Sequence, residues 1–116
     1  SDRPIFIQIV ERIEMDIISG KYKPGDKLPS VRDFAAEAAV NPNTMQKAFT
    51  ELERTGLVFS QRTTGRFITE DTSMIDELKS TLAKDKITEL LSFMQQLGFQ
   101  ENEILAMIGQ TMKGEK

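Results

Sequence analysis

A chain of 116 residues is one small domain, or one domain with a short helical appendage. With 39% hydrophobic and 28% charged residues it can bury a core, and no apolar run approaches the roughly 18 residues of a membrane span. The absence of cysteine and histidine excludes disulfides and thiolate or imidazole metal sites, and it removes the commonest nucleophiles and general bases. No enzyme, metal or cofactor is therefore expected. The absence of cysteine fits a reducing compartment, and with no basic-then-apolar leader in the sequence a cytoplasmic location is expected.

The net charge of −3 conceals an asymmetry. Residues 1–69 carry ten Lys/Arg against nine Asp/Glu, whereas residues 70–116 carry five against nine. An acidic chain is a poor ligand for phosphates as a whole, but a local cationic patch can act within it.

The first predicted element is a helix from about Pro4 to Ile18. Ile5, Ile9, Val10, Ile13 and Ile17 recur at steps of three and four, and Ser19-Gly20 ends the pattern. Pro24, Gly25 and Pro29 make the next stretch a turn and a short extended piece. Ser30, with Asp33 three residues on, caps a short second helix whose inner face is Val31, Phe34, Ala35 and Ala38. Asn41-Pro42 starts a third, with Met45, Ala48, Phe49 and Leu52 inward and Gly56 at its end.

The period then changes. Leu57–Gln61 and Arg66–Thr69 read as strands around a Gly-containing tip, Arg62-Thr63-Thr64-Gly65. Helical spacing returns after Asp71, where Ala83, Ile87, Leu90, Leu91, Met94 and Leu97 form a stripe. Gly98 ends that helix, and Ile104, Leu105 and Ile108 mark a last short one.

The fold class is thus mainly α with a small β-hairpin: a winged helix-turn-helix over residues 1–71 and two dimerisation helices over 72–116. A helix fits the major groove, and its amino-terminal residues meet base edges. The cationic hairpin tip can follow phosphates, with Arg62 and Arg66 supplying charge and Gly65 a close backbone approach.

The run Gly20-Lys21-Tyr22-Lys23-Pro24-Gly25-Asp26-Lys27-Leu28-Pro29-Ser30-Val31-Arg32 resembles the amino-terminal domain of GntR-type bacterial transcription regulators. Asn41-Pro42-Asn43-Thr44-Met45-Gln46-Lys47-Ala48-Phe49, Glu51-Leu52-Glu53 and Gly56-Leu57-Val58 continue the resemblance in register. The short helical tail is similar to that of the YtrA-type subfamily. Departures from the family pattern are Thr63 for a frequent glycine, Arg66 for a usual threonine, and Ala38-Ala39 for a commoner Leu-Gly.

The resemblance implies a homodimeric repressor on an inverted-repeat operator in double-stranded DNA, controlling a nearby transporter operon. Its implied DNA contacts are Ser30, Arg32, Asn41, Asn43, Thr44, Gln46, Lys47, Arg62, Thr64, Gly65 and Arg66. A Gln46 amide suits adenine and Lys47 suits guanine or phosphate.

Plainer roles stand beside these. Arg32 can pair with Asp33 or Glu37, Ser30 is also a cap, and Asn41 is a cap before it is a base reader. Ile87, Leu90, Leu91, Met94, Leu97, Ile104 and Ile108 are the expected dimer interface. Phe93, Phe99 and Met107 belong to core or interface sooner than to a ligand pocket. Glu70, Asp71, Asp76 and Glu77 suit a solvated helix start better than a cation site. Two rivals stand beside it: a winged-helix protein-interaction module, which should not cluster Arg32, Lys47, Arg62 and Arg66, and a small enzyme built on Ser30 and Asp33 or on a carboxylate pair, which lacks His, Cys and any phosphate-cradling loop.

Overall fold

A computed structural model describes residues 3–114 of the chain; the outermost ends of the two expected domains, 1–2 and 115–116, lie outside them. Helix α1 (Ile5–Ile18) turns Val10, Ile13 and Ile17 inward, with Glu14 buried among them. Helix α2 (Val31–Ala38) begins at Ser30, whose Oγ accepts the Asp33 amide at 3.1 Å. Helix α3 (Pro42–Thr55) begins at Asn41, whose Oδ1 accepts the Asn43 amide at 2.7 Å. Both side chains satisfy donors that a helix start leaves open.

α1 and α2 each pack on α3. Met45, Ala48, Phe49 and Leu52 on α3 are fully buried between them, and that apolar spacing sets the face α3 turns away from water. Gly56 ends α3 at φ 87°, a backbone shape that side chains resist.

Strands β1 (Val58–Gln61) and β2 (Gly65–Ile68) pair antiparallel, with Val58 opposite Ile68 and Gln61 opposite Gly65. The extended piece before α2 lies along the other edge of β2. The amides of Gly25 and Leu28 donate to the carbonyls of Ile68 and Arg66 at 3.0 and 2.9 Å, and the Ile68 amide donates to Asp26 at 2.8 Å. These bonds bring Lys27 opposite Phe67, and Leu28 is buried beneath them.

Helix α4 (Thr72–Gln96) starts beside Asp71, which accepts the Ser73 hydroxyl and the amides of Ser73 and Met74. The Ser73 hydroxyl holds that carboxyl below its ordinary range. Helix α5 (Glu101–Met112) begins at Gln100, whose amide donates to the Glu103 carboxylate at 2.8 Å. No helix of the described residues is long and apolar enough to cross a membrane.

Contacts divide the chain into two units, one ending at Glu77 and one starting at Leu78. The expected boundary after Asp71 falls just before α4, and the division by contacts falls inside that helix. In the first unit the core is drawn from α1, α2, α3 and both strands. In the second, Met94 and Ile104 are buried, so these two positions already have cover within the chain. Ile108 is half-buried, while Ile87, Leu90, Leu91 and Leu97 are exposed.

Candidate nucleic-acid interface

The start of α2, one residue of α3 and the hairpin tip open onto one cleft of about 960 Å³. Ser30, Arg32 and Asp33 come from α2 and its cap, Gln46 from α3, and Thr63, Thr64, Gly65 and Arg66 from the tip and β2. Lys27 and Tyr22 complete the wall. Its charged groups are three cations, Lys27, Arg32 and Arg66, against one carboxylate, Asp33.

Local chemistry explains how these groups meet. The Ser30 cap fixes the first turn of α2, where helix amides and dipole favour anions. Gly65 has φ 117°, and a Cβ there would stand 3.0 Å from the Lys27 side chain. The positive φ is what favours glycine here, since the end of the Lys27 side chain can move aside. Among the described residues Arg32 forms no ion pair, with Asp33 and Glu37 included. Its guanidinium is exposed and open to an outside anion.

The Gln46 amide reaches the Thr50 hydroxyl at 3.4 Å, a long and weak bond that leaves it free to turn. Burial pushes the Tyr22 phenol above its ordinary value, so it stays a neutral hydroxyl.

Of the eleven expected DNA contacts, Ser30, Arg32, Gln46, Thr64, Gly65 and Arg66 line the cleft, and Asn41, Asn43, Thr44, Lys47 and Arg62 do not. Asn41 is occupied as a cap. Asn43 is exposed and Thr44 half-buried in the first turn of α3. Lys47 borders a neighbouring hollow with Phe6, Thr50 and Glu51, and Gln46 lines both hollow and cleft; the Lys47 Nζ lies 5.8 Å from the Phe6 ring centre. Arg62 is exposed at the hairpin tip. The four cations named as a discriminator are thus split: Arg32 and Arg66 share the cleft, while Lys47 and Arg62 lie outside it.

Lys27 is not among the contacts that the sequence leads one to expect. It sits in an extended piece too short for a two-residue alternation to be read, and its partner strand is forty residues away. The signal available was its place directly before Leu28-Pro29-Ser30, which delivers the chain to the α2 cap.

The profile of bacterial regulatory proteins of the gntR family matches residues 7–68, which include the whole cleft. Two curated relatives come from Bacillus subtilis (strain 168). The chain is 40% identical to the HTH-type transcriptional regulator YhcF, covering 90% of this chain and 87% of that protein. It is also 40% identical to the HTH-type transcriptional repressor YtrA, covering 84% and 70%. Among solved structures, a GntR family transcriptional regulator from Listeria monocytogenes superposes with a TM-score of 0.87 at 39% identity, over 95% of this chain and 96% of that one. The DNA-binding domain of AraR in complex with operator ORX1 superposes with a TM-score of 0.55 at 30% identity, over 58% and 81%. The chain belongs to the gntR family of bacterial regulatory proteins.

Proposed function

We propose that the chain is a sequence-specific DNA-binding transcription repressor that works as a homodimer on an inverted-repeat operator. The observation that carries this reading is the single cleft onto which the α2 cap, Gln46 of α3 and the hairpin tip all open. A recognition helix braced by a preceding helix and followed by a wing is an arrangement sized for the major groove and its flanking phosphates. AraR's operator complex and YtrA's designation as a repressor support it as likenesses.

In this reading α3 enters the major groove, where Gln46 offers adenine a donor and an acceptor, and Asn43 and Lys47 meet neighbouring bases or phosphates. The hydroxyls of Ser30, Thr44 and Thr64 and the backbone at Gly65 donate to phosphate oxygens, and Asn41 sets the start of α3. Arg32, Lys27 and Arg62 neutralise phosphate charge. The exposed side chains of Ile87, Leu90, Leu91 and Leu97 form the dimer contact, with Ile108 at its edge and Met94 and Ile104 supporting it from beneath.

Titrating a duplex from the promoter upstream of the chain's own gene, at several salt concentrations, tests this. Specific binding should exceed that of a scrambled duplex and fall steeply as salt rises. Equal affinity for both duplexes would overturn the reading.

A further inference from the structure

We propose that Arg66 is a positioning residue that locks the wing to the recognition helix, leaving Arg62 and Lys27 to neutralise phosphate there. The proposal rests on the DNA-binding reading and assigns a separate role within it. Arg66 Nε donates to Glu53 Oε1 at 2.5 Å, from β2 to the last turns of α3. Its guanidinium carbon lies 5.2 Å from the ring centre of Phe49, which is fully buried. The two side chains are 26% and 32% exposed, so the pair is partly withdrawn from water, where attraction between charges is stronger.

The backbone of the same residue is a junction. Arg66 stands opposite Ser60 in the hairpin, and its carbonyl accepts the Leu28 amide at 2.9 Å. One residue thus joins β1, the segment bearing Lys27, and α3. Threonine, the residue the family pattern leads one to expect here, is too short to reach Glu53.

The charge balance separates this role from phosphate contact. A cation already matched by its own carboxylate displaces little of the counterion atmosphere on DNA, so its loss leaves the salt dependence of binding nearly unchanged. Arg62 and Lys27 form no ion pair among the described residues, and each keeps its full charge for phosphate. Arg66 also walls the cleft, so its clamp on α3 sets how far the wing stands from the helix that reads the bases.

The test compares Arg66→Gln, Arg66→Thr, Glu53→Gln and the Glu53→Gln/Arg66→Gln double variant in the full chain. Each is titrated against the own-gene promoter duplex and a scrambled duplex over a range of salt. Each single variant should bind the promoter about three- to tenfold more weakly, and the double variant no worse than either Gln variant. The promoter-to-scrambled ratio should fall, a readout in which any loss of folded protein cancels. The slope of log affinity against log salt should stay at the wild-type value for Arg66→Gln, while Arg62→Gln lowers it by about one. A slope reduced by about one in Arg66→Gln, unchanged promoter affinity in that variant, or tighter promoter binding by Glu53→Gln would overturn the proposal. Failure of the wild-type chain to prefer the promoter would instead overturn the DNA-binding reading itself.

Discussion

The ring of Phe34 meets that of Phe49 edge-on, with centres 5.5 Å apart and planes at 83°. This contact ties α2 to α3 across the turn between them, and Tyr22 extends it at 6.2 Å from Phe34. Edge-to-face rings attract beyond the area they bury, so the angle between bracing and recognition helices depends on Phe49. Phe49→Ala should destabilise the chain by about 3–5 kcal/mol in denaturant unfolding. A loss within about 1 kcal/mol would show that the helices are held by something else.

Glu14 is the one carboxylate in the buried face of α1. Burial raises its pKa above the ordinary value, and the charges of Glu11 and Glu51 add to the shift. A carboxyl with a raised folded-state pKa gives stability that is complete below its ordinary pKa and lost as pH rises through the raised value. Glu14→Gln should therefore stabilise the chain at pH 7, by about 1 kcal/mol or less, and the advantage should vanish near pH 4. Thermal unfolding of both proteins across that range measures it; an advantage independent of pH would contradict the assignment.

Ala39 and Thr63 are the two non-glycine residues with positive φ among the described residues, at 56° and 66°. Both occupy positions where the family resemblance leads one to expect glycine. A left-handed backbone costs an L-residue roughly 1–2 kcal/mol, partly offset by the freedom glycine has when unfolded. Ala39→Gly and Thr63→Gly should each raise stability by about 0.5–1 kcal/mol, and their effects should add because they lie in separate turns. A melting temperature lowered by either substitution would show that its turn gains nothing from relief of the backbone.

Much of this fold was legible because its signals are local. Ser30, Asn41 and Gly56 mark helix ends by the hydrogen bonds or backbone angles they supply, and all three stand at those ends. The wing was legible from β-branched and aromatic residues around Gly65. What escaped depends on distance along the chain. Nothing near Lys27 states that its segment pairs with β2, and nothing near Arg66 names Glu53, thirteen residues earlier, as its partner. The stripe from Ile87 to Ile108 was visible as a period, but a period cannot say which members are covered within the chain. Met94 and Ile104 are covered; Leu90 and Leu97 are not.

That division yields a prediction for assembly. Leu97 is 57% exposed and Leu90 42%, and apolar groups left in water on a helical stripe favour self-association. If the proposed homodimer forms through this stripe, Leu90→Asp/Leu97→Asp should convert it into a monomer in sedimentation. On the proposed inverted-repeat operator it should weaken promoter binding at least tenfold, because the second head would no longer be held near the first. A doubly substituted chain that still sediments as a dimer would place the interface elsewhere.

The most direct measurement is a map of amide chemical shifts as the promoter duplex is added to the 116-residue chain. The large perturbations should fall together on Lys27, Ser30, Arg32, Thr64 and Gly65 and on Asn43, Thr44, Gln46 and Lys47 of α3, with Arg62 at the hairpin tip. Perturbations confined to α5, or spread without focus over the surface, would contradict the DNA-binding reading.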